Sequence, residues 1–302
     1  MSQNKAAYGK GTLMSLAGID FSAISQEELL ALFHKTLSGG IHGISFSPYM
    51  EGQGPRTIVS EAQIRERLAI VQPYVRWIRS FSCTEGNENI PRIAHENGLK
   101  TLVGAWLADD RDKNEEELAN IIEVARAGHA DIVAIGNEVL LRGDLSADEL
   151  IEYIQRFRQA VPEVEVGYVD AYFEFVDHPD VTAACDVILA NCYPFWEGCS
   201  AKYSLVYMKD MYRRALQAAN GKKVIISETG WPNIGTATGA ALPSDSNAMR
   251  YFLNAYKWAV EEGVEIFYFS SFDEDWKVED EGDVGAYWGL WDKNGILKYG
   301  QV

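Results

Sequence analysis

The sequence predicts a single (β/α)8 barrel. Short runs of Val, Ile, Leu and Ala that end in polar or turn residues alternate with longer segments of helical periodicity, a pattern typical of parallel strands joined by helices. Roughly eight such apolar runs occur, and a closed barrel needs eight strands. The length of 302 residues, 47% of them hydrophobic, suits one domain of this size.

The predicted strands are apolar runs of the kind that is buried on both faces of a parallel sheet. An open, doubly wound sheet also alternates strands with helices, but it usually carries a glycine-rich first turn that binds a ligand. The first turn here reads SFSPYMEGQGP and lacks that pattern, so we favour the closed barrel. The predicted strands are Ile41–Tyr49, Val75–Phe81, Leu99–Leu107, Asp131–Val139, Val164–Tyr172, Val187–Phe195, Lys223–Trp231 and Glu265–Asp273.

Helices are predicted between most of the strands. One begins with Ser146 and Glu149, whose spacing is that of a capping box. The link between the fifth and sixth strands, Glu174–Ala184, is short and has room for at most one weak helix. The predicted helices are Ser60–Val71, Asn114–Ala127, Ser146–Ala160, Tyr203–Asn220 and Ser244–Glu262.

The sequence predicts two parts, an N-terminal extension of residues 1–38 that packs on the barrel, and the barrel itself, formed by residues 39–302. The extension contains a predicted helix around Gln26–Leu37. Because the region after the eighth strand is short and irregular, this helix is expected either to cover the bottom of the barrel or to replace the missing last helix.

The charge balance disfavours nucleic acids and anionic membranes as partners. Lys and Arg total 27 against 44 Asp and Glu, a formal charge of -17, whereas phosphate binding needs a basic surface. A neutral substrate fits best. The N-terminus has no apolar signal-peptide core, so the sequence as written predicts a cytoplasmic protein, or a periplasmic or extracellular one if a targeting segment has been removed. The oligomeric state is not predicted.

No metal site or cofactor is predicted. The five histidines are scattered without HxH or HExxH spacing, and the four cysteines have no zinc-site spacing. Free buried thiols are expected, with a loop disulfide between Cys192 and Cys199 as the alternative. The predicted strand ends lack the lysine that a Schiff-base enzyme needs. The acidic run DEDWKVEDEGD is expected to be a solvated loop.

Two glutamates point to the chemistry. Glu138 follows Asn137 at the end of the strand DIVAIGNEVL, and Glu228 ends the strand KVIISETGWP. An ion pair or a helix cap would explain either glutamate alone. However, strand ends face the pocket of a barrel, and the fourth and seventh strands lie opposite each other across its mouth. Two carboxylates facing one pocket are the minimum equipment for cleaving a glycosidic bond.

Several segments, in this order and spacing, resemble glycoside hydrolase family 17, the β-1,3-glucanases and related glucan-remodelling enzymes. The resemblance covers the chain from about Gly43 to about Leu297, and the string ISETGWP is its most specific part. The first forty or so residues precede it. The segments are GISFSPY, WIRSFSC, LVGAW, IGNEVLLRGDLS, NCYPFWEG, ISETGWP, FSSFDEDWK and YWGLWDKNGILK.

The resemblance implies a retaining mechanism with Glu138 as general acid/base and Glu228 as nucleophile. It implies that Asn137 binds the sugar hydroxyl next to the reacting carbon, and that Glu274 and Lys277 lie near the nucleophile. An amide that caps the following turn and an exposed ion pair are the respective alternatives. The implied substrate is a β-glucan, most simply β-1,3-linked. Hydrolysis and transglycosylation use the same residues, so both remain open, and a non-catalytic carbohydrate-binding barrel is a third reading.

Other residues at or just beyond strand ends are weaker candidates for the substrate site. Tyr193 is expected to hold Glu228 in place, with a buried core tyrosine as the alternative, and Tyr49 is expected to line the donor side. Sugars stack their flat C–H faces on aromatic rings, and Phe195 and Trp231 are the predicted platforms. A further pair, Arg79 and Asp170, could supply ion-pair partners behind the substrate contacts.

Overall fold

The computed structural model describes residues 18–300, and its eight parallel strands close into one barrel. Each strand pairs with the next along the chain, and β8 pairs with β1, which confirms the predicted fold class. The strands are β1 Ile41–Ser45, β2 Val75–Arg79, β3 Lys100–Ala105, β4 Ile132–Asn137, β5 Glu165–Ala171, β6 Val187–Asn191, β7 Lys223–Thr229 and β8 Ile266–Tyr268.

All eight predicted strands are present, but each is shorter than its apolar run. Strand β1 ends four residues before Tyr49, and β8 contains only three residues. The extra apolar residues belong to loops over the mouth, where side chains pack without a neighbouring strand. A layer of buried side chains fills the barrel interior, and it consists of Leu102, Ile132, Ala134, Val169, Val187, Leu189, Ile225 and Phe267.

The five helices predicted between strands are confirmed, and several short helices were missed. The link between β5 and β6 holds two short helices, whereas the sequence predicted at most one. Ser146 forms the predicted capping box with Glu149. The helices are α1 Gln26–Ser38, α2 Glu61–Val71, α3 Ile90–Glu96, α4 Arg111–Arg126, α5 Val139–Arg142, α6 Ala147–Ala160, α7 Glu174–Asp177, α8 Pro179–Ala184, α9 Ser204–Ala218, α10 Asp245–Glu262 and α11 Val278–Glu281.

Helix α1 lies in the place of the missing eighth helix. It packs mainly against α10 and also contacts the turn that follows α2, so it lies between the seventh and first helices of the barrel. Phe33 of α1 is 4.9 Å from the ring of Phe252 and 5.0 Å from that of Tyr299. The strand β8 is followed only by the four-residue α11. The division into an extension of residues 1–38 and a barrel of residues 39–302 stays a prediction, and residues 1–17 and 301–302 lie outside the described residues.

The four cysteines are free and buried, as expected. Cys192 and Cys199 therefore do not form the alternative disulfide. Between residues 18 and 300, no helix combines the length and the apolar character needed to cross a membrane.

Candidate active site

The two glutamates lie at one cavity at the carboxyl ends of the strands. Glu138 directly follows β4, and Glu228 is the penultimate residue of β7. Both line a cavity of about 570 Å³, as the sequence predicts. The other lining residues come from the last positions of β5 and β6 and from the loops after β4, β5, β6 and β8. They are Leu141, Ala171, Tyr172, Phe173, Asn191, Tyr193, Trp196, Glu197, Phe269, Asp280, Glu281 and Trp288.

Glu228 is buried in a polar environment. Arg79, the last residue of β2, places its Nη1 atom 2.5 Å from Oε1 of Glu228. The hydroxyl of Tyr193 donates to Oε2 of Glu228 at 2.6 Å. One full positive charge and one O–H donor thus stabilise the negative charge of this carboxylate, because buried charges need both pairing and hydrogen bonds. Arg79 and Tyr193 stand where the sequence placed them.

Arg79 also links the two glutamates indirectly. Its Nη2 atom donates to Oδ1 of Asn137 at 2.6 Å. This bond occupies Oδ1 of Asn137, so Arg79 contacts the oxygen of the amide and not its Nδ2 group. Asn137 is buried at the end of β4, next to Glu138. The structure therefore brings Asn137 to the catalytic pair, and its predicted contact with a sugar hydroxyl stays a prediction.

Glu138 has a different environment. Its carboxylate accepts one hydrogen bond, from Nδ2 of Asn191 to Oε1 at 2.8 Å. Burial, together with the negative charge of Glu228, raises the pKa of Glu138 to about 7. Near neutral pH, Glu138 therefore holds a proton that it can donate. Because Asn191 occupies Oε1 as a donor, Oε2 is the oxygen left to carry that proton.

The backbone of Glu138 is strained, with a φ of 50° in the left-handed region. This conformation costs roughly 1–2 kcal/mol for a residue with a side chain. A residue of β5 fixes the turn that follows Glu138, because the hydroxyl of Tyr168 accepts a hydrogen bond from the backbone N–H of Leu140 at 2.9 Å. Tyr168 in turn donates to Asp170. These contacts fix the segment that follows Glu138, so they position its carboxylate.

Asp170 differs from its expected role as an ion-pair partner. Within residues 18–300 no cation pairs with it. Its carboxylate accepts from Tyr168 and from the backbone N–H of Ala171 at 2.7 Å, with a longer contact of 3.4 Å from that of Leu141. Burial raises the pKa of Asp170 to about 6. The residue is therefore a backbone anchor beneath the site.

The prediction that Phe195 and Trp231 are sugar platforms is wrong. The two side chains are 0% and 1% exposed, and their ring centroids lie 5.3 Å apart. The indole N–H of Trp231 donates to the carbonyl of Leu242, which directs this ring behind the strand ends. Among the rings that do line the cavity, Trp196 is 42% exposed. The sequence predicts aromatic residues at the mouth but not the direction in which each ring points.

A second cavity, of about 370 Å³, lies between the loops that follow β1 and β8. Tyr49 and Glu274 line it together with Trp276, whose ring is 6.4 Å from that of Tyr49. Lys277 pairs with Glu274 at 2.5 Å. Both residues are buried, so the alternative of an exposed ion pair is excluded.

The acidic run after β8 is only partly the solvated loop that the sequence predicted. Asp275 and Glu279 are exposed, but Glu274 and Lys277 are buried. Glu281 lines the catalytic cavity, and burial raises its pKa to about 7. Sequence reasoning missed this residue because nothing in an acidic run distinguishes the carboxylates that turn inward from those that face solvent. It also missed Asn191, although a polar residue at the end of the strand VILAN is the same signal that identified Glu138.

Comparison with known proteins assigns the family. The BtgE/BtgC glycoside hydrolase domain matches residues 43–289. The chain belongs to this family of glycoside hydrolases. Glycoside hydrolases that work by double displacement need an acid and a nucleophile, and Glu138 and Glu228 are the residues predicted for these roles.

Two relatives of this glycoside hydrolase are named glucan 1,3-beta-glucosidase, and a third is named a cell surface mannoprotein. A glucan 1,3-beta-glucosidase of Saccharomyces cerevisiae is 26% identical over 80% of this chain and 86% of its own length. One of Schizosaccharomyces pombe is 28% identical over 76% of this chain and 77% of its own length. The cell surface mannoprotein MP65 of Candida albicans is 28% identical over 84% of this chain and 67% of its own length.

A solved structure has the same fold. The glycoside hydrolase family 17 β-1,3-glucanosyltransferase from Rhizomucor miehei matches with a TM-score of 0.77 and 25% identity, covering 86% of this chain and 96% of that one. The resemblance to family 17 that the sequence motifs indicated is thus confirmed.

Proposed function

We propose that this protein is a retaining glycosidase of β-1,3-linked glucan, with Glu138 as general acid/base and Glu228 as nucleophile. The observation that carries the proposal is the presence of two carboxyl groups at one cavity in unlike environments. Glu228 is paired with a buried guanidinium, whereas the pKa of Glu138 is raised to about 7, chiefly by burial. Unequal proton affinity is what a double displacement requires.

In the first step, the carboxylate of Glu228 attacks the anomeric carbon of a glucosyl unit while the proton of Glu138 moves to the departing glycosidic oxygen. The carbon–oxygen bond breaks, a glycosyl-enzyme ester forms on Glu228, and Glu138 is left ionised. Arg79 and Tyr193 hold the attacking carboxylate in place. A fixed nucleophile reduces the entropy lost in reaching the transition state.

In the second step, Glu138 takes a proton from an acceptor hydroxyl, and the acceptor oxygen displaces Glu228 from the sugar. If the acceptor is water, the reaction is hydrolysis, and the relatives named glucan 1,3-beta-glucosidase favour this outcome. If the acceptor is a sugar, the reaction is transglycosylation, which the name of the Rhizomucor miehei enzyme favours. Both outcomes use the same two residues. A non-catalytic carbohydrate-binding barrel is disfavoured because both glutamates are present.

The remaining site residues receive roles that fit their positions. Asn137, whose Oδ1 atom is taken by Arg79, offers its Nδ2 group to the hydroxyl beside the reacting carbon. Tyr49 and Glu274 line the second cavity, which would hold sugars further along the donor side. Lys277 fixes Glu274 and does not itself line that cavity.

The product profile tests the proposal. The protein is incubated with laminari-oligosaccharides and with β-1,4-, mixed-linkage and β-1,6-glucans, and products are analysed by mass spectrometry and by NMR of the first anomer formed. We expect cleavage of β-1,3 linkages with a β-anomer as first product. Products longer than the substrate identify transfer, and only shorter ones identify hydrolysis. An α-anomer as first product, or preference for another linkage, contradicts the proposal.

We further propose that the protein acts on glucan outside the cytoplasm. The support is that one relative is named a cell surface mannoprotein. Fractionation of the source cells, followed by detection with a specific antibody, tests this location, and recovery only from the cytoplasmic fraction contradicts it.

A further inference from the structure

A further carboxyl group, that of Glu281, lines the same cavity as Glu138 and Glu228. It is the last residue of the short helix α11, in the loop after β8. The two-step reaction assigns roles to two carboxyl groups only. Glu281 therefore has no function in the chemistry described so far.

The partly buried position of Glu281 disfavours its ionised form. Desolvation raises its pKa to about 7, and Glu228 and Glu274 add negative charge nearby. Lys277, which partly offsets this effect, is also paired with Glu274 at 2.5 Å. A carboxyl group that lowers stability at the wall of a cleft is a candidate functional group.

The carboxyl group of Glu281 is fixed in orientation. The indole Nε1–H of Trp288 donates to its Oε2 atom at 2.7 Å. Across residues 18–300, no other side chain or backbone N–H donates to this carboxyl group, so Oε1 is left without a donor. Trp288 also packs against Tyr193, with 5.5 Å between ring centroids, and Tyr193 holds Glu228. The same aromatic cluster thus sets the position of Glu281 relative to the nucleophile.

A glycine makes room for Glu281. A Cβ atom on Gly285 would lie 2.9 Å from Cβ of Glu281 and 2.6 Å from the backbone oxygen of Lys277. Any larger residue at position 285 would therefore displace α11 and move Glu281. The missing side chain at Gly285 thus leaves the room that α11 and Glu281 need.

We infer that Glu281 is a substrate-binding residue whose carboxyl group forms a hydrogen bond with a hydroxyl of the sugar held between Glu138 and Glu228. Trp288 occupies Oε2, and the sugar hydroxyl occupies Oε1. A carboxylate that is positioned before the substrate arrives binds a hydroxyl with little loss of side-chain entropy. This inference rests on the proposed function, since it concerns the substrate of that reaction.

The test compares Glu281→Gln and Glu281→Ala with the control Glu279→Ala, an exposed residue of the same helix. Activity is measured on laminaritetraose and on analogues that each lack one hydroxyl. We expect Glu281→Ala to lower kcat/KM on laminaritetraose by roughly 10- to 100-fold, the range for loss of a hydrogen bond to a charged group. Glu281→Gln, which can still accept from Trp288 and bind a hydroxyl, should lose less. Glu279→Ala should match the wild type.

The deoxy analogues separate binding from a structural role. One analogue should be turned over equally by the wild type and by Glu281→Ala, because the hydroxyl and its partner are each removed. The melting temperature of Glu281→Ala should be unchanged or higher. If the wild type is active and Glu281→Ala is just as active, the inference about Glu281 is overturned. An equal loss of activity by Glu281→Ala on every analogue overturns it as well. Neither result contradicts the proposed function. A wild type inactive on every glucan overturns the proposed function and this inference with it.

Discussion

Glu138 and Glu228 carry the same side chain and line the same cavity, yet their surroundings are opposite. Glu228 faces a buried guanidinium and a phenol, both of which donate to it. Glu138 has a single amide donor, and burial together with the charge of Glu228 raises its pKa to about 7. The difference shows that one barrel rim can give two identical groups unlike surroundings, because only one of the two strand ends faces a cation.

The position of Arg79 explains this asymmetry. It ends β2, and its guanidinium reaches Oε1 of Glu228 and Oδ1 of Asn137. It thus contacts the residue before Glu138 but not its carboxylate. Glu138 therefore feels the negative charge of Glu228 more than the positive charge of Arg79. The following predictions test whether this difference determines the two roles.

Loss of the nucleophile should have the largest effect. Glu228→Gln keeps the size and hydrogen-bonding capacity of the side chain but cannot form the glycosyl-enzyme ester. We expect kcat on laminari-oligosaccharides to fall by about 10⁴-fold or more. Oligosaccharide binding, measured by calorimetry, should stay close to that of the wild type. Near-wild-type turnover by this variant would show that Glu228 is not the nucleophile.

Loss of the acid should depend on the leaving group. Glu138→Gln cannot protonate the departing oxygen, so kcat/KM on laminari-oligosaccharides should fall by roughly 10²- to 10⁴-fold. A dinitrophenyl β-laminaribioside releases an anion that needs no protonation, and there kcat/KM should fall by less than about tenfold. Glu228→Gln is the matched control because it should be inactive on both substrates. Equal losses by Glu138→Gln on both substrates would argue against its role as the acid.

The pH profile should report the proton on Glu138. Its pKa is raised from 4.5 to about 7, so the acid form persists to neutral pH and is lost above it. With laminari-oligosaccharides, kcat/KM should therefore fall about tenfold per pH unit above that pKa. Glu281 also has a pKa near 7, so the profile is repeated with Glu281→Gln, which should keep the same decline. With the dinitrophenyl substrate this decline should be absent, and its persistence there would assign it to another group.

The sequence predicts the catalytic pair but not all of its surroundings. A parallel barrel brings all strand ends to one rim, so the polar residues Asn137, Glu138 and Glu228 at those ends identify the site without knowledge of any loop. The rings of Phe195 and Trp231 lie beyond the strands, where loop conformation decides the direction of each side chain. Both are buried behind the rim.

The short helices of the mouth were unpredictable for a related reason. Helix α5 follows Glu138 directly, and its four residues have no periodicity that could be recognised in the sequence. It forms because β5 supplies Tyr168, whose hydroxyl accepts from the backbone N–H of Leu140. Helix α11 is similar, because the inward position of Glu281 depends on the indole of Trp288. Contacts made outside the helix itself, and not its own periodicity, decide both.

Removal of the Tyr193 hydroxyl, which donates to Glu228, should have the smallest effect on activity. Tyr193→Phe deletes one donor but leaves the Arg79 ion pair, so Glu228 becomes slightly more like Glu138. We expect kcat to fall by roughly tenfold, the loss for one hydrogen bond to a charged group. Tyr256→Phe is the matched control, because its buried hydroxyl donates to the carbonyl of Gly43 and does not touch the cavity. Both variants should lose similar stability in urea, but only Tyr193→Phe should lose activity. Equal activity in the two variants would mean that the ion pair with Arg79 is enough to hold Glu228 for catalysis.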